Sequence, residues 1–186
     1  MPKSNVKAQV LNTLSKYPEN KGICIFVSPL DKYNEVNKEI LNYLNISKKL
    51  TGVYVSLNKD YKEITSELEK IKINTSNLFF IIGIEKSRKI EADNCIFTQG
   101  PQALTELSLT ITNIINTGKF DYIFFDSIST VLMYNNLGVS QKFSTYIINK
   151  LKQNDLLGII ISLNEVQSNK IIPTIAQLCD HCVNIS

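Results

Sequence analysis

Asp126 follows directly on Tyr122-Ile123-Phe124-Phe125 and is followed by Ser127, Ser129 and Thr130. The continuous apolar run has the character of a strand buried on both faces. A carboxylate at the carboxyl end of such a strand stands where open α/β sheets place their ligands, and could hold a metal ion or a water there. The same carboxylate could instead cap the turn that follows. A second group of reactive side chains is Cys179-Asp180-His181-Cys182, a C-x-x-C pair enclosing the chain's one histidine. One pair lacks the second pair that makes a zinc pattern specific, and Cys24, far upstream, is the candidate third ligand. In thiol exchange the C-x-x-C opens a helix, which stabilises the thiolate, whereas this one stands at a helix end. No G-x-S-x-G elbow accompanies the many hydroxyl residues.

These residues have to be held by elements that the hydrophobic pattern places in order. Asn5 to Tyr17 reads as an amphipathic helix through Val6, Val10, Leu11 and Leu14. Ile23–Val27 is the first buried strand, closing at Ser28-Pro29, and Asp31 is placed to cap the next helix. Strand Gly52–Leu57, a helix carrying Tyr61, Ile64, Leu68 and Ile71, and strand Leu78–Ile84 follow. Residues 85 to 94 are charged and aperiodic, which predicts an exposed excursion, and Cys95-Ile96-Phe97 predicts a short edge strand. Pro101 is expected to open a helix at its favoured first-turn position, with Gly118 ending it. Beyond Asp126, the positions Val139, Phe143, Tyr146, Ile147 and Leu151 predict a helix, and Gly158–Leu163 a strand. Lys170–Asp180 is expected to be a short helix with Pro173 in its first turn, and Cys182–Ile185 a closing strand. Strands that are apolar throughout and alternate with helices predict an α/β fold, a mainly parallel sheet covered on both faces.

At 186 residues, with 44 % apolar residues, 7 Gly and 5 Pro, the chain is expected to form one globular domain. The expected division is a helix over residues 1–21 packed on a single domain over 22–186. Net charge is +3, and the 20 basic residues include a single arginine, Arg88. A chain so poor in the bidentate guanidinium fork, without a basic face, argues against nucleic acid as a partner. No stretch has the length of a signal-peptide core or a membrane span, which predicts a cytoplasmic protein whose four cysteines are buried thiols rather than disulfides.

Three stretches carry a family resemblance: Val53-Tyr54-Val55-Ser56-Leu57, Phe120 to Ser129, and Gly158 to Leu163. In order and spacing they resemble the KaiC-like branch of the RecA-superfamily ATPases, and Pro101 to Leu107 resembles a stretch of archaeal members. The resemblance implies a three-layer RecA-like domain of the P-loop NTPase type, with the Gly158–Leu163 strand between the first strand and Tyr122–Asp126. It implies that Asp126 stands where the family's magnesium-side carboxylate does. Two departures accompany it. A P-loop needs G-x-x-x-x-G-K-[ST], whose glycines let backbone N–H groups curl around phosphates. This chain has Ser28-Pro29-Leu30-Asp31-Lys32-Tyr33 instead, without glycine and with a donor lost at Pro29. Where the family carries paired glutamates after the second strand, this chain has Asn58-Lys59, and neither side chain is a general base at neutral pH. Ser28, Pro29, Asp31, Lys32, Asn58, Lys59, Asp126 and Ser127 are thus expected to outline a vestigial nucleotide pocket. The expected function is that of a pseudo-ATPase without a cofactor, acting as a regulatory or interaction module toward a protein partner or a second copy of itself. The alternative is a KaiC-like protein that still binds ATP and magnesium, with weak or partner-dependent hydrolysis.

Overall fold

A computed structural model describes residues 6–84 and 92–186. Part of the expected excursion and Arg88 lie outside the described residues, as does the start of the first helix. The elements run α1 (Val6–Leu14), β1 (Gly22–Ser28), α2 (Tyr33–Leu41), β2 (Gly52–Ser56), α3 (Tyr61–Lys70), β3 (Leu78–Ile82) and β4 (Cys95–Phe97). They continue with α4 (Leu104–Ile115), β5 (Tyr122–Asp126), α5 (Ile128–Tyr134), α6 (Leu137–Gln153), β6 (Leu157–Leu163), α7 (Ser168–Ala176) and β7 (His181–Asn184).

The strands pair in the order β4-β3-β2-β5-β6-β1-β7, every ladder parallel. β6 therefore lies between β1 and β5, and β2 flanks β5 on its other side, the order that the resemblance implies. Alternate strand residues feed two cores. Phe26, Tyr54, Phe80, Tyr122 and Phe124 pack under α1, α2 and α3. Ile25, Val55, Ile81, Ile123 and Phe125 pack under α4 to α7. Both sheet faces are thus covered, which is why the strands read as unbroken apolar runs. β5 occupies the middle of the seven and delivers Asp126 to the carboxyl edge.

Several local expectations are corrected. Asp31 does not cap α2: it sits in a one-turn 3-10 helix, Leu30–Lys32, and Lys32 takes the cap position without a side-chain bond. Pro101 does not open α4, which starts at Leu104. The Asn135 amide donates to the Pro101 carbonyl at 3.0 Å, and Ala103 N–H to Gly100 at 3.1 Å, fixing a turn there instead. α7 begins at Ser168, so Pro173 falls inside it rather than in its first turn. On α6, Val139 and Tyr146 are exposed, while Ser140 and Ser144 are buried. Their hydroxyls bond back to the carbonyls of Asn136 and Ser140, so these polar residues enter the core already satisfied.

Candidate functional site

The site grows from one carboxylate and the elements that surround it. Along β5 the side chains of Tyr122, Phe124 and Asp126 share a face, and the pairing of Tyr54 with Phe124 puts the Tyr54 phenol on that face beside Asp126. Above them α2 begins at Tyr33, and Asn37 follows four positions later on the same side of the helix. All three converge on Asp126. The Tyr33 hydroxyl donates to Oδ1, the Tyr54 hydroxyl to Oδ2 at 2.8 Å, and Asn37 Nδ2 to Oδ2 at 3.3 Å. Asn58 Nδ2 donates to the Tyr33 oxygen at 2.8 Å, which ties the β2–α3 turn into the same network. Ser56 shapes that turn, accepting from Lys59 N–H at 3.0 Å and donating to the Lys59 carbonyl at 2.8 Å.

Asp126 is completely buried. Burial pushes its carboxyl above the usual carboxylate range, while the Tyr33 and Tyr54 hydroxyls and the positive charge of Lys59 pull the other way. The two phenols are pushed up in their turn, first by burial and then by the Asp126 charge. The Lys59 side chain, only 15 % exposed, pairs with Glu67 at 2.7 Å and donates to Asn34 at 3.2 Å.

The expectation that Asp126 would cap the following turn is overturned. Ser127 caps α5, its hydroxyl accepting from Thr130 N–H at 3.4 Å, and Asp126 turns to the opposite side of the chain. Of the other expected pocket residues, Ser28 donates to the Pro29 carbonyl at 3.0 Å, and Asp31 is exposed. The backbone N–H groups of Lys32 and Tyr33 donate to the carbonyls of Pro29 and Leu30. Asn58 and Asp126 are brought together through Tyr33, whereas Ser127 lies apart from them at the head of α5.

Tyr33, Asn37 and Tyr54 are the functional residues that sequence reasoning missed. Tyr54 carried a usable signal, since a phenol inside an otherwise apolar buried strand needs a partner for its hydroxyl. A second buried cluster also went unseen. Ser129 Oγ lies 3.3 Å from Ser162 Oγ and 2.9 Å from Ser168 Oγ, and accepts from Leu163 N–H at 2.8 Å. It locks the ends of β6, α5 and α7 together.

The cysteine and histidine candidates form no ligand set: among the described residues no group of three or more His, Cys, Asp or Glu could hold a metal ion. Cys24 is buried in β1 and its thiol is pushed up to about 12 by burial, as is that of Cys179. The expectation of four buried thiols holds for Cys24 alone: Cys95 and Cys179 are half-buried and Cys182 is exposed, while His181 Nδ1 is 2.8 Å from the Tyr17 hydroxyl. Tyr17 in turn donates to the Ile23 carbonyl at 3.1 Å, so this cluster fastens the chain after α1 to the sheet.

A parallel sheet in this strand order, covered on both faces, with a carboxylate closing its central strand, defines the three-layer RecA-like class. The crystal structure of KaiC-like protein PH0186 from the hyperthermophilic archaeon Pyrococcus horikoshii OT3 shares this fold. It matches with a TM-score of 0.65 at 7 % identity, over 88 % of this chain and 70 % of that one. No curated protein matches the sequence. The family model described as "ATPase: KaiC" matches residues 42–185, most of the chain, and the chain belongs to that family. The match begins after β1 and α2, so the turn between them and the α2 residues of the Asp126 cage lie outside it. Among the described residues no helix is long and apolar enough to cross a membrane.

Proposed function

We propose that this KaiC-family chain is a regulatory or protein-interaction module that does not turn over ATP. The enclosure of Asp126 carries this reading. A magnesium-side carboxylate has to offer its oxygens to the ion or its waters, and here Tyr33, Tyr54 and Asn37 engage both oxygens at full burial. The turn after β1 supports the same reading. Its Lys32 and Tyr33 N–H groups are spent on Pro29 and Leu30, and Asp31 brings negative charge to the spot a phosphate would use. A magnesium triphosphate does not fit the residues as they stand. Asn58, whose amide donates to Tyr33, and Lys59, paired with Glu67, supply no base for an attacking water. Leu30, Met133 and Val166, each more than two-thirds exposed, sit on segments leaving the carboxyl ends of β1, β5 and β6. They offer apolar surface to a protein partner or a second copy of the chain.

The test is magnesium-dependent ATPase of the purified protein beside its Asp126→Asn variant. Both are expected at background, since each lost stabilising or activating group removes a factor of about 100 or more in rate. Catalytic turnover abolished by Asp126→Asn without unfolding would overturn the reading. Family membership itself favours a second reading, an ATP-binding protein whose hydrolysis is weak or needs a partner. Titration with ATP separates the two: saturable binding that strengthens with magnesium supports the second, and its absence the first.

A further inference from the structure

α2 and α3 do not close against each other over β2. Between them lies a pocket of about 250 Å³, somewhat below the roughly 300–1,000 Å³ typical of drug-sized ligands. The inner wall is apolar: Leu41, Ile64 and Leu68 are buried around the Tyr54 ring, and Ile71 is half-buried at the side. The rim is charged and mostly basic, with Lys38, Lys59 and Lys70 against the single carboxylate of Glu67. Asn37 also lines the pocket. It is more than nine-tenths buried, its Nδ2 is committed to Asp126, and its Oδ1 is sealed from the pocket, so it closes the floor without offering a polar contact.

We propose that this pocket binds a small aromatic carboxylic acid. Each part of that description answers a feature of the site. The apolar wall takes the ring: a flat hydrocarbon body packs against it and removes its own surface and that of half-buried Ile71 from water. The excess of ammonium groups at the mouth takes the carboxylate, and it disfavours a cation of the same shape. Sequence alone could not point here, because the lining comes from α2, β2, the β2–α3 turn and α3, and Lys38 and Lys70 read singly as solvated surface charge. The site shares Lys59 and Tyr54 with the surroundings of Asp126 but opens between the helices, so it stands whether or not the chain turns over ATP.

The experiment is calorimetric titration of the full chain with indole-3-acetate and with 4-hydroxyphenylacetate, beside neutral indole and cationic tryptamine. We expect saturable binding of at least one acid with a Kd below about 1 mM, and binding of indole and tryptamine weaker by about tenfold or more. Lys70→Glu, an exposed change at the rim, is expected to weaken the acid by about tenfold. Ile71→Trp, which fills the mouth from a half-buried position, is expected to abolish binding. No saturation by either acid up to about 10 mM, equal affinity for acid and amine, or undiminished binding by Lys70→Glu would each overturn the proposal. If Ile71→Trp fails to fold, the order of the four probes and the Lys70→Glu result still decide. An ATPase or ATP-binding result of either sign leaves this outcome untouched.

Discussion

Asp126 is held by three donors in a place where an ionised carboxylate is costly, and the balance can be measured one atom at a time. Tyr54→Phe removes a single hydroxyl from a fully packed ring. We expect a loss of about 2 kcal/mol in urea unfolding, the usual weight of a hydrogen bond to a charged group. The pH dependence follows from the direction of the shift. Because the folded-state pKa of Asp126 is raised, protonation favours the folded chain. That contribution is complete below the unfolded carboxylate value of about 3.9 and is lost as pH rises through the higher folded value. Asp126→Asn lacks it. The stability of the variant minus that of wild type is therefore expected to rise with pH across that window and then level off, and a flat difference would contradict the assignment. At this scale the sequence showed the carboxylate but not its partners. Tyr33, Asn37 and Tyr54 come from α2 and β2, and only the β2–β5 register and the seating of α2 bring them to Asp126.

Elements meet in this fold at a few positions with no slack, and Gly52 is one of them. It opens β2 opposite Tyr122, and a Cβ there would overlap the Tyr122 ring. That ring cannot step aside easily, because its hydroxyl is bonded to Asn45, at 2.8 Å from Nδ2 and 3.1 Å from Oδ1. Gly52→Ala is expected to destabilise by about 1–3 kcal/mol, read as a lower urea midpoint at unchanged slope. Strands were the most legible elements, since a strand buried on both faces writes itself as an apolar run, and β1, β5 and β6 end within a residue or two of their expected limits. Helix ends were less so. Asp31 and Pro101 carry local signals for helix starts, and tertiary hydrogen bonds or a 3-10 turn placed the starts elsewhere. α5 left no readable stripe because Ile128 to Leu132 are all buried, so its periodicity is erased.

On the scale of the whole molecule the sheet should open from its edges. β4 is three residues long with an exposed centre, and β7 pairs on one side only, whereas β5 and β6 are paired on both sides and buried. Native-state hydrogen exchange is expected to be slowest in β2, β5, β6 and β1 and fastest in β4 and β7. Equal protection across all seven strands would contradict this. The order of strands also has a consequence for how the chain is made. Both neighbours of β1 are the last two strands: Gly22 pairs with Leu157, and Cys24 with His181. A polypeptide leaving the ribosome therefore carries one of its most apolar segments unpaired along both edges until β6 and β7 emerge. The β4-β3-β2-β5 half can assemble meanwhile, for its ladders are complete once Asp126 is synthesised. β1 has to wait, sheltered by α1 and α2 or by a chaperone, and a ribosome stalled before Leu157 would hold a nascent chain poised to aggregate.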